Sequence, residues 1–166
     1  MKPRLLTYGS RGITPLILGN AIEGEARDVA LVMSGIAKQV LEYGQPLPAP
    51  CVLLSGGETT VTVKGKGKGG RNSEFLLHFL METQGDPRLY AMSCGTDGSD
   101  GTENNAGVVM YPEFWAKSLE LGLKAKDFAA NNDSYSFFER CNGLVMTGPT
   151  RTNVNDFRAI YVLPKS

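Results

Sequence analysis

Four short segments concentrate the residue types that handle anions and hydroxyl groups: SGGETT (55–60), GGRNSE (69–74), GTDGSDGTENNAG (95–107) and TGPTRTNVND (147–156). Glycines let backbone N–H groups approach a charged oxygen, and Arg71 can grip a phosphate or carboxylate through two parallel hydrogen bonds. Asp97 and Asp100 can orient a hydroxyl or hold magnesium, which takes oxygen ligands. The asparagines and threonines supply neutral hydrogen bonds. Taken singly, each segment is also ordinary turn vocabulary, because Asp-Gly and Asn-Gly pairs are what turns use. The functional expectation comes from several of them agreeing.

The elements that must position these segments lie between them. Leu16-Ile17-Leu18, closed by Gly19-Asn20, predicts a buried strand. Ala26, Val29, Ala30, Met33, Ile36, Ala37, Val40 and Leu41 recur at steps of three and four, which predicts one apolar helix face stopped by Gly44 and the linker QPLPAP. Cys51 to Leu54 predicts a second buried strand, and the Thr/Val alternation of Thr59 to Val63 a half-exposed one. After the glycine-lysine loop 64–70, Asn72 is placed to cap a helix carrying Phe75, Leu76, Phe79 and Leu80. Further strands are expected at Leu89 to Cys94, Val108 to Tyr111, Leu144 to Met146 and Phe157 to Leu163. Helices are expected from Pro112 through Leu121 and after a cap at Asp133 or Ser134. This alternation predicts a layered α/β/α domain with a mixed, mostly parallel sheet, whose ligand crevice lies beyond the carboxyl ends of strands.

Composition narrows the classes of function. The 166 residues suffice for one domain with a real core. Lys+Arg and Asp+Glu are 17 each, so no net field recruits nucleic acid or an anionic membrane. The three cysteines are far apart, without CxxC spacing, and there is a single histidine, which together argue against a zinc site. No apolar run reaches bilayer length and the first twelve residues have no signal-peptide core, so a cytoplasmic protein is expected.

Two local patterns fail on their context. Gly65, Gly67 and Gly70 satisfy GxGxxG, but the preceding TTVTV alternates and no acidic residue stands at the end of the next strand, at the required distance of about 20 residues. Lys64, Lys66 and Lys68 are never followed by Ser or Thr, so the loop is not a Walker loop; a flexible lysine-bearing lid or a solvated loop is expected instead. His78 falls among Phe75, Leu76, Leu77, Phe79 and Leu80 and is expected at the core edge, with Trp115, Phe128, Phe137 and Phe138 in the core.

The strings CVLLSGGETTVTV, GGRNSEF, GTDGSDG with NNAG, NDSYSFF and TGPTRTNVNDFRAI together resemble, in order and spacing, the MOFRL domain. That is the C-terminal domain of the glycerate 2-kinase family, many of whose members carry the older label hydroxypyruvate reductase. The resemblance runs from about Pro15 to the C-terminus and leaves residues 1–14 unassigned. It implies ATP-dependent phosphorylation of D-glycerate at its 2-hydroxyl, with magnesium, in a cleft between two α/β domains. By motif position it implies that Arg71 and Asp97 stand at the catalytic centre. Glu58, Asn72, Asp100, Asn105, Thr150, Asn153, Asn155 and Asp156 match other recurrent polar positions that would meet substrate or phosphate. The larger N-terminal domain, which contributes a catalytic lysine, is absent from this sequence, so the chain alone is expected to be inactive, with neither ATP nor magnesium tightly bound. Its expected partners are glycerate, ATP and the missing domain, with a homodimer compatible with an uncovered interdomain face. An NAD(P)H-dependent hydroxypyruvate reductase and a stand-alone binding module are the alternatives.

Overall fold

The apolar stripe of residues 26–41 becomes α1 (Ala26–Tyr43), which ends where Gly44 turns left-handed and donates its N–H to the Val40 carbonyl. The description comes from a computed structural model and covers residues 12–164. The reading of the first twelve residues therefore falls, but for Gly12, outside the described residues.

Around α1 the chain lays down β1 (Thr14–Gly19), β2 (Gly24–Glu25), β3 (Cys51–Gly57), β4 (Thr59–Thr60), α2 (Arg71–Thr83), β5 (Leu89–Gly95) and β6 (Gly107–Met110). Then follow α3 (Glu113–Glu120), α4 (Ala125–Ala130), α5 (Ser134–Cys141), β7 (Leu144–Val145) and β8 (Asp156–Val162). Six strands form one sheet in the order β1-β3-β8-β5-β6-β7, and β2 and β4 form a separate parallel pair. The sheet is mixed, as expected. Strands β1, β3, β5 and β7 all point one way, but β8 and β6 run between them, so only β1–β3 pairs in parallel and the other four pairings are antiparallel.

The layering also differs from the α/β/α expectation. All five helices contribute to one core cluster, built on a single alternating set of strand residues that includes Leu53, Leu89, Val108 and Ile160. The opposite face, with Val52, Leu54, Tyr90, Met92 and Tyr161, is only half-buried. Antiparallel neighbours need no crossover helix on a second face, and such sheets tolerate one uncovered side.

Three local expectations change. The strand at Thr59–Val63 stops at Thr60, because the Glu25 carboxylate accepts from the Thr62 N–H (3.1 Å) and Oγ1 (2.7 Å) and draws the chain away from any ladder. Asn72 does not cap α2: Gly70 holds the N-cap position and Asn72 is a buried residue of the first turn. The glycine-lysine loop is not a flexible lid. Its backbone is bolted to the α4–α5 turn: Lys64 and Gly65 N–H donate to Asn132 Oδ1 (2.8 and 2.9 Å), Lys66 N–H to Asn131 Oδ1 (3.1 Å), and Lys68 N–H to Asp133 Oδ1 (2.9 Å). A β-carbon on Gly65 or Gly67 would lie 2.1 or 2.3 Å from residues of that turn, so glycine at alternate positions is what lets the two segments touch while the lysines face out.

Among the described residues no helix is long and apolar enough to cross a membrane. The three cysteines are unpaired, with Cys51 and Cys141 buried and Cys94 half-buried. Phe137 and Phe138 are core, Trp115 and Phe128 pack against it, and His78 sits at its edge, 3.2 Å from Glu74 Oε1.

Candidate active site

The polar segments meet where β3 and β5 end and β8 begins. In that register Asp156 pairs with Gly57 on one side and Gly95 on the other. Flanked by two residues without side chains, its carboxylate has room on the helix-covered face although Asp156 is 2% exposed. Three donors close on it: Arg71 Nε (2.9 and 3.1 Å to the two oxygens), Arg158 Nη2 (2.8 Å) and Asn72 Nδ2 (3.0 Å). Arg71 Nη1 reaches Oε1 of Glu58, the exposed residue just past the end of β3, at 3.1 Å.

A second buried carboxylate holds the base of α2. Asp100 accepts the Asn72 N–H at Oδ1 (2.8 Å) and the Ser73 N–H at Oδ2 (2.9 Å), with Asn72 Nδ2 3.2 Å from Oδ1. A carboxylate from a loop 28 residues away thus caps the helix whose first residue is Arg71, where anions are favoured by orphan N–H groups and the helix dipole. Gly70 permits the approach, since its β-carbon would stand 2.4 Å from Asp100 Oδ1. Asn72 Oδ1 accepts from Ser93 Oγ at 2.6 Å, so this side-chain amide ties α2, β5, β8 and the acidic loop together. Burial pushes the Asp100 pKa up, against the pull of the hydrogen bonds from Asn72 and Ser73.

Asp97 lies in the neighbouring turn, bonded at Oδ1 to the Ser99 N–H (3.0 Å). A β-carbon on Gly95 would be 3.0 Å from that oxygen, so Asp97 folds back over the same face and edge as Asp156, the direct register partner of Gly95. The final loop fastens this turn. The Thr150 N–H donates to the Asp97 carbonyl (3.1 Å), Thr150 Oγ1 donates to the Thr96 carbonyl, and Thr96 Oγ1 donates to the Asn155 carbonyl (2.7 Å).

Of the ten residues singled out from the sequence, Glu58, Arg71, Asn72, Asp100 and Asp156 form one hydrogen-bonded network. Asp97, Thr150 and Asn155 form a second group one register position away. Asn153 closes a local turn, its Oδ1 accepting the Asn155 N–H (3.0 Å), and Asn105 is buried, donating to the Gly107 carbonyl (2.9 Å) with Oδ1 unpartnered. Asp100 does not suit magnesium, since both oxygens are engaged and it is 1% exposed. Among the described residues no three His, Cys, Asp or Glu side chains converge as a metal site.

Residue types alone passed over Arg158, Ser93 and Thr59. Arg158 is 1% exposed, donates to Asp156 and to Thr59 Oγ1 (2.9 Å), lies over the Phe75 ring and has Nε and Nη1 unpartnered. Its signal was present in DFRAIYV: Arg158 falls in phase with Asp156, Ile160 and Val162 on the buried face. Burial pulls the Arg158 pKa down, with Asp156 opposing and Arg71 adding to the fall. At Arg71, partial burial also pulls down, but the bond and charge of Asp156, helped by Glu58 and Asp100, outweigh it and raise the value.

The sequence profile of the MOFRL family matches residues 51–156, a span that contains Glu58, Arg71, Asn72, Asp100 and Asp156. The chain belongs to the MOFRL family. A protein of Agrobacterium vitis provisionally named hydroxypyruvate reductase is 46% identical over 155 residues, 92% of this chain and 40% of that protein. The glycerate 2-kinase of Pyrococcus horikoshii is 36% identical over 93% of this chain and 35% of its own length. A crystal structure of glycerate kinase from Thermotoga maritima superposes with a TM-score of 0.89 at 35% identity, covering 92% of this chain and 37% of that one. This MOFRL chain therefore spans two-fifths or less of the length of these relatives.

Proposed function

We propose that this MOFRL chain is the C-terminal domain of an ATP-dependent glycerate 2-kinase that phosphorylates the 2-hydroxyl of D-glycerate in a cleft shared with a larger N-terminal domain. The observation that carries the proposal is the fixing of Arg71 at the sheet edge. Asp156 holds Nε, the exposed Glu58 holds Nη1, and Nη2 donates to no group among the described residues. A guanidinium so held presents a pre-aligned outer edge to an anion.

Phosphoryl transfer requires positioning and charge neutralisation more than covalent chemistry by the protein. The substrate oxygen O2 bonds to the γ-phosphorus while the bond from that phosphorus to the β,γ-bridging oxygen breaks, and ADP leaves. Arg71 neutralises the transferring phosphoryl group, and Asp97 orients the hydroxyl and takes its proton. Glu58 occupies the anion position while the site is empty and gives it up when substrate arrives. Magnesium, which usually keeps several waters and few protein carboxylates, fits arrival on the nucleotide rather than a resident protein cage. The name hydroxypyruvate reductase on relatives supports a second reading less well, since the ring of His78, the acid that reading would need, is engaged with Glu74.

The test is a chimera in which this chain replaces the corresponding part of the Thermotoga maritima glycerate kinase. Given D-glycerate and ATP it should yield 2-phosphoglycerate, followed by phosphorus NMR. NADH oxidation with hydroxypyruvate and no phosphoryl transfer would overturn the proposal in favour of the reductase.

A further inference from the structure

A cleft of about 430 Å³ opens along α2 beyond the Arg71 network. Two stretches of chain lead from the network into it. On α2, Arg71 is followed at helical spacing by Glu74, His78 and Met81, and these three line the cleft. Glu74 lies about 4.5 Å further along the helix axis than Arg71, at three residues of rise. Alongside runs the segment that begins at Glu58, bonded to Arg71, and reaches the cleft at Val61, Thr62 and Lys64. The cleft and the Arg71 edge are therefore neighbours along one helix face.

The lining is mixed. Val61, Met81 and Ala129 supply apolar surface, Glu74 and His78 polar groups from α2, and Lys64 and Lys126 are exposed. Glu74 is 5% exposed and one of its oxygens meets His78. The backbone at Lys64 is held in place, since its N–H and that of Gly65 are pinned to Asn132, another lining residue. Most of the remaining lining is polar, Glu25, Arg27, Thr62 and Asn132 included, so the cleft offers hydrogen-bonding and charged groups around a small apolar surface, in a volume within the roughly 300–1,000 Å³ of small-molecule sites. A buried carboxylate suits ribose hydroxyls, as in dinucleotide sites.

We infer that this cleft holds the nucleoside of the phosphate donor, its base between Val61, Met81 and Ala129, its ribose at Glu74, and its phosphates passing Lys64 toward Arg71. The inference rests on the kinase reading for the identity of the ligand, and its test does not. The isotope-labelled 166-residue chain is titrated with adenosine, ATP and inorganic triphosphate, and amide shifts are followed. Adenosine alone should shift residues 61–64, 74–81 and 129–132, and ATP should add shifts at 70–72. Ala130→Trp, at an exposed position of the cleft wall, should weaken adenosine binding at least tenfold. Lys126→Glu, also exposed, should weaken ATP while sparing adenosine. The inference is overturned if adenosine shifts none of these residues, if triphosphate reproduces the whole ATP pattern, or if Ala130→Trp binds adenosine as the unaltered chain does. Adenosine binding here together with a chimera that transfers no phosphoryl group would instead sink the kinase reading and leave the site standing.

Discussion

Arg71 Nε lies 2.9 Å from Asp156 Oδ1, joining the first residue of α2 to the first residue of β8 across 85 positions of sequence. The same carboxylate also neutralises Arg158, so one buried anion orients an outward guanidinium and compensates an inward one.

Asp156→Asn should therefore destabilise the fold as well as the site. It leaves the Arg158 charge buried without its counter-ion, a loss of about 3–5 kcal/mol. Urea denaturation of the two proteins checks this, and a difference below 1 kcal/mol would show that Arg158 finds another partner.

Arg71 is about a third exposed, so its replacement should spare stability and strike turnover. In the glycerate kinase chimera, Arg71→Lys should lower kcat/KM by roughly 10²–10³, as removal of one preorganised donor does. Lysine keeps the charge but loses the fork that binds Asp156 and an anion at once. A variant with near-normal kcat/KM would take Arg71 out of the chemistry.

Asp97→Asn should abolish phosphoryl transfer with the melting transition nearly unchanged, because the amide oxygen can still accept the Ser99 N–H. Glu58→Gln should act differently: with the competing anion gone, KM for glycerate or ATP should fall while kcat changes little. An unchanged KM would mean that Glu58 does not stand in for substrate.

Gly67→Ala should cost roughly 1–3 kcal/mol by forcing the loop off the α4–α5 turn, as overpacking does. Hydrogen exchange gives the sharper readout. The Lys64, Gly65, Lys66 and Lys68 amides, each bonded to an Asn or Asp side chain, should be protected in the unaltered chain and exposed to exchange in the variant. Free exchange in the unaltered chain would restore the flexible lid.

Burial, with Asp100 and Asp156 nearby, pushes the Cys94 thiol from its ordinary 9.0 up to about 11. The thiolate is the nucleophile and becomes about 100-fold scarcer at pH 8, an effect partly offset by the greater nucleophilicity of a more basic thiolate. Alkylation of native Cys94 should therefore be about tenfold or more slower than in the unfolded chain. Equal rates would show that the thiol is not held in this environment.

The sequence by itself determined what depends on near neighbours. The spacing of Ala26 through Leu41 and the glycine at 44 fixed α1 and its end, because helix amphipathicity and a left-handed cap are local properties. The short apolar runs at 16–18, 51–54 and 89–94 placed three strands for the same reason, and the ordered polar strings carried the family. Tertiary structure decided the rest. Asp97 and Asp100 are the same residue type three positions apart, yet one is half-buried over Gly95 and the other is the buried cap of α2, a difference set by which loop meets the helix. Asn72 looked like that cap and became a buried tie between Asp100, Asp156 and Ser93, because its partners come from 21 to 84 residues away. The insertion of β8 between β3 and β5, which turned a sheet expected to be mostly parallel into a largely antiparallel one, lies in long-range pairing that no local period records.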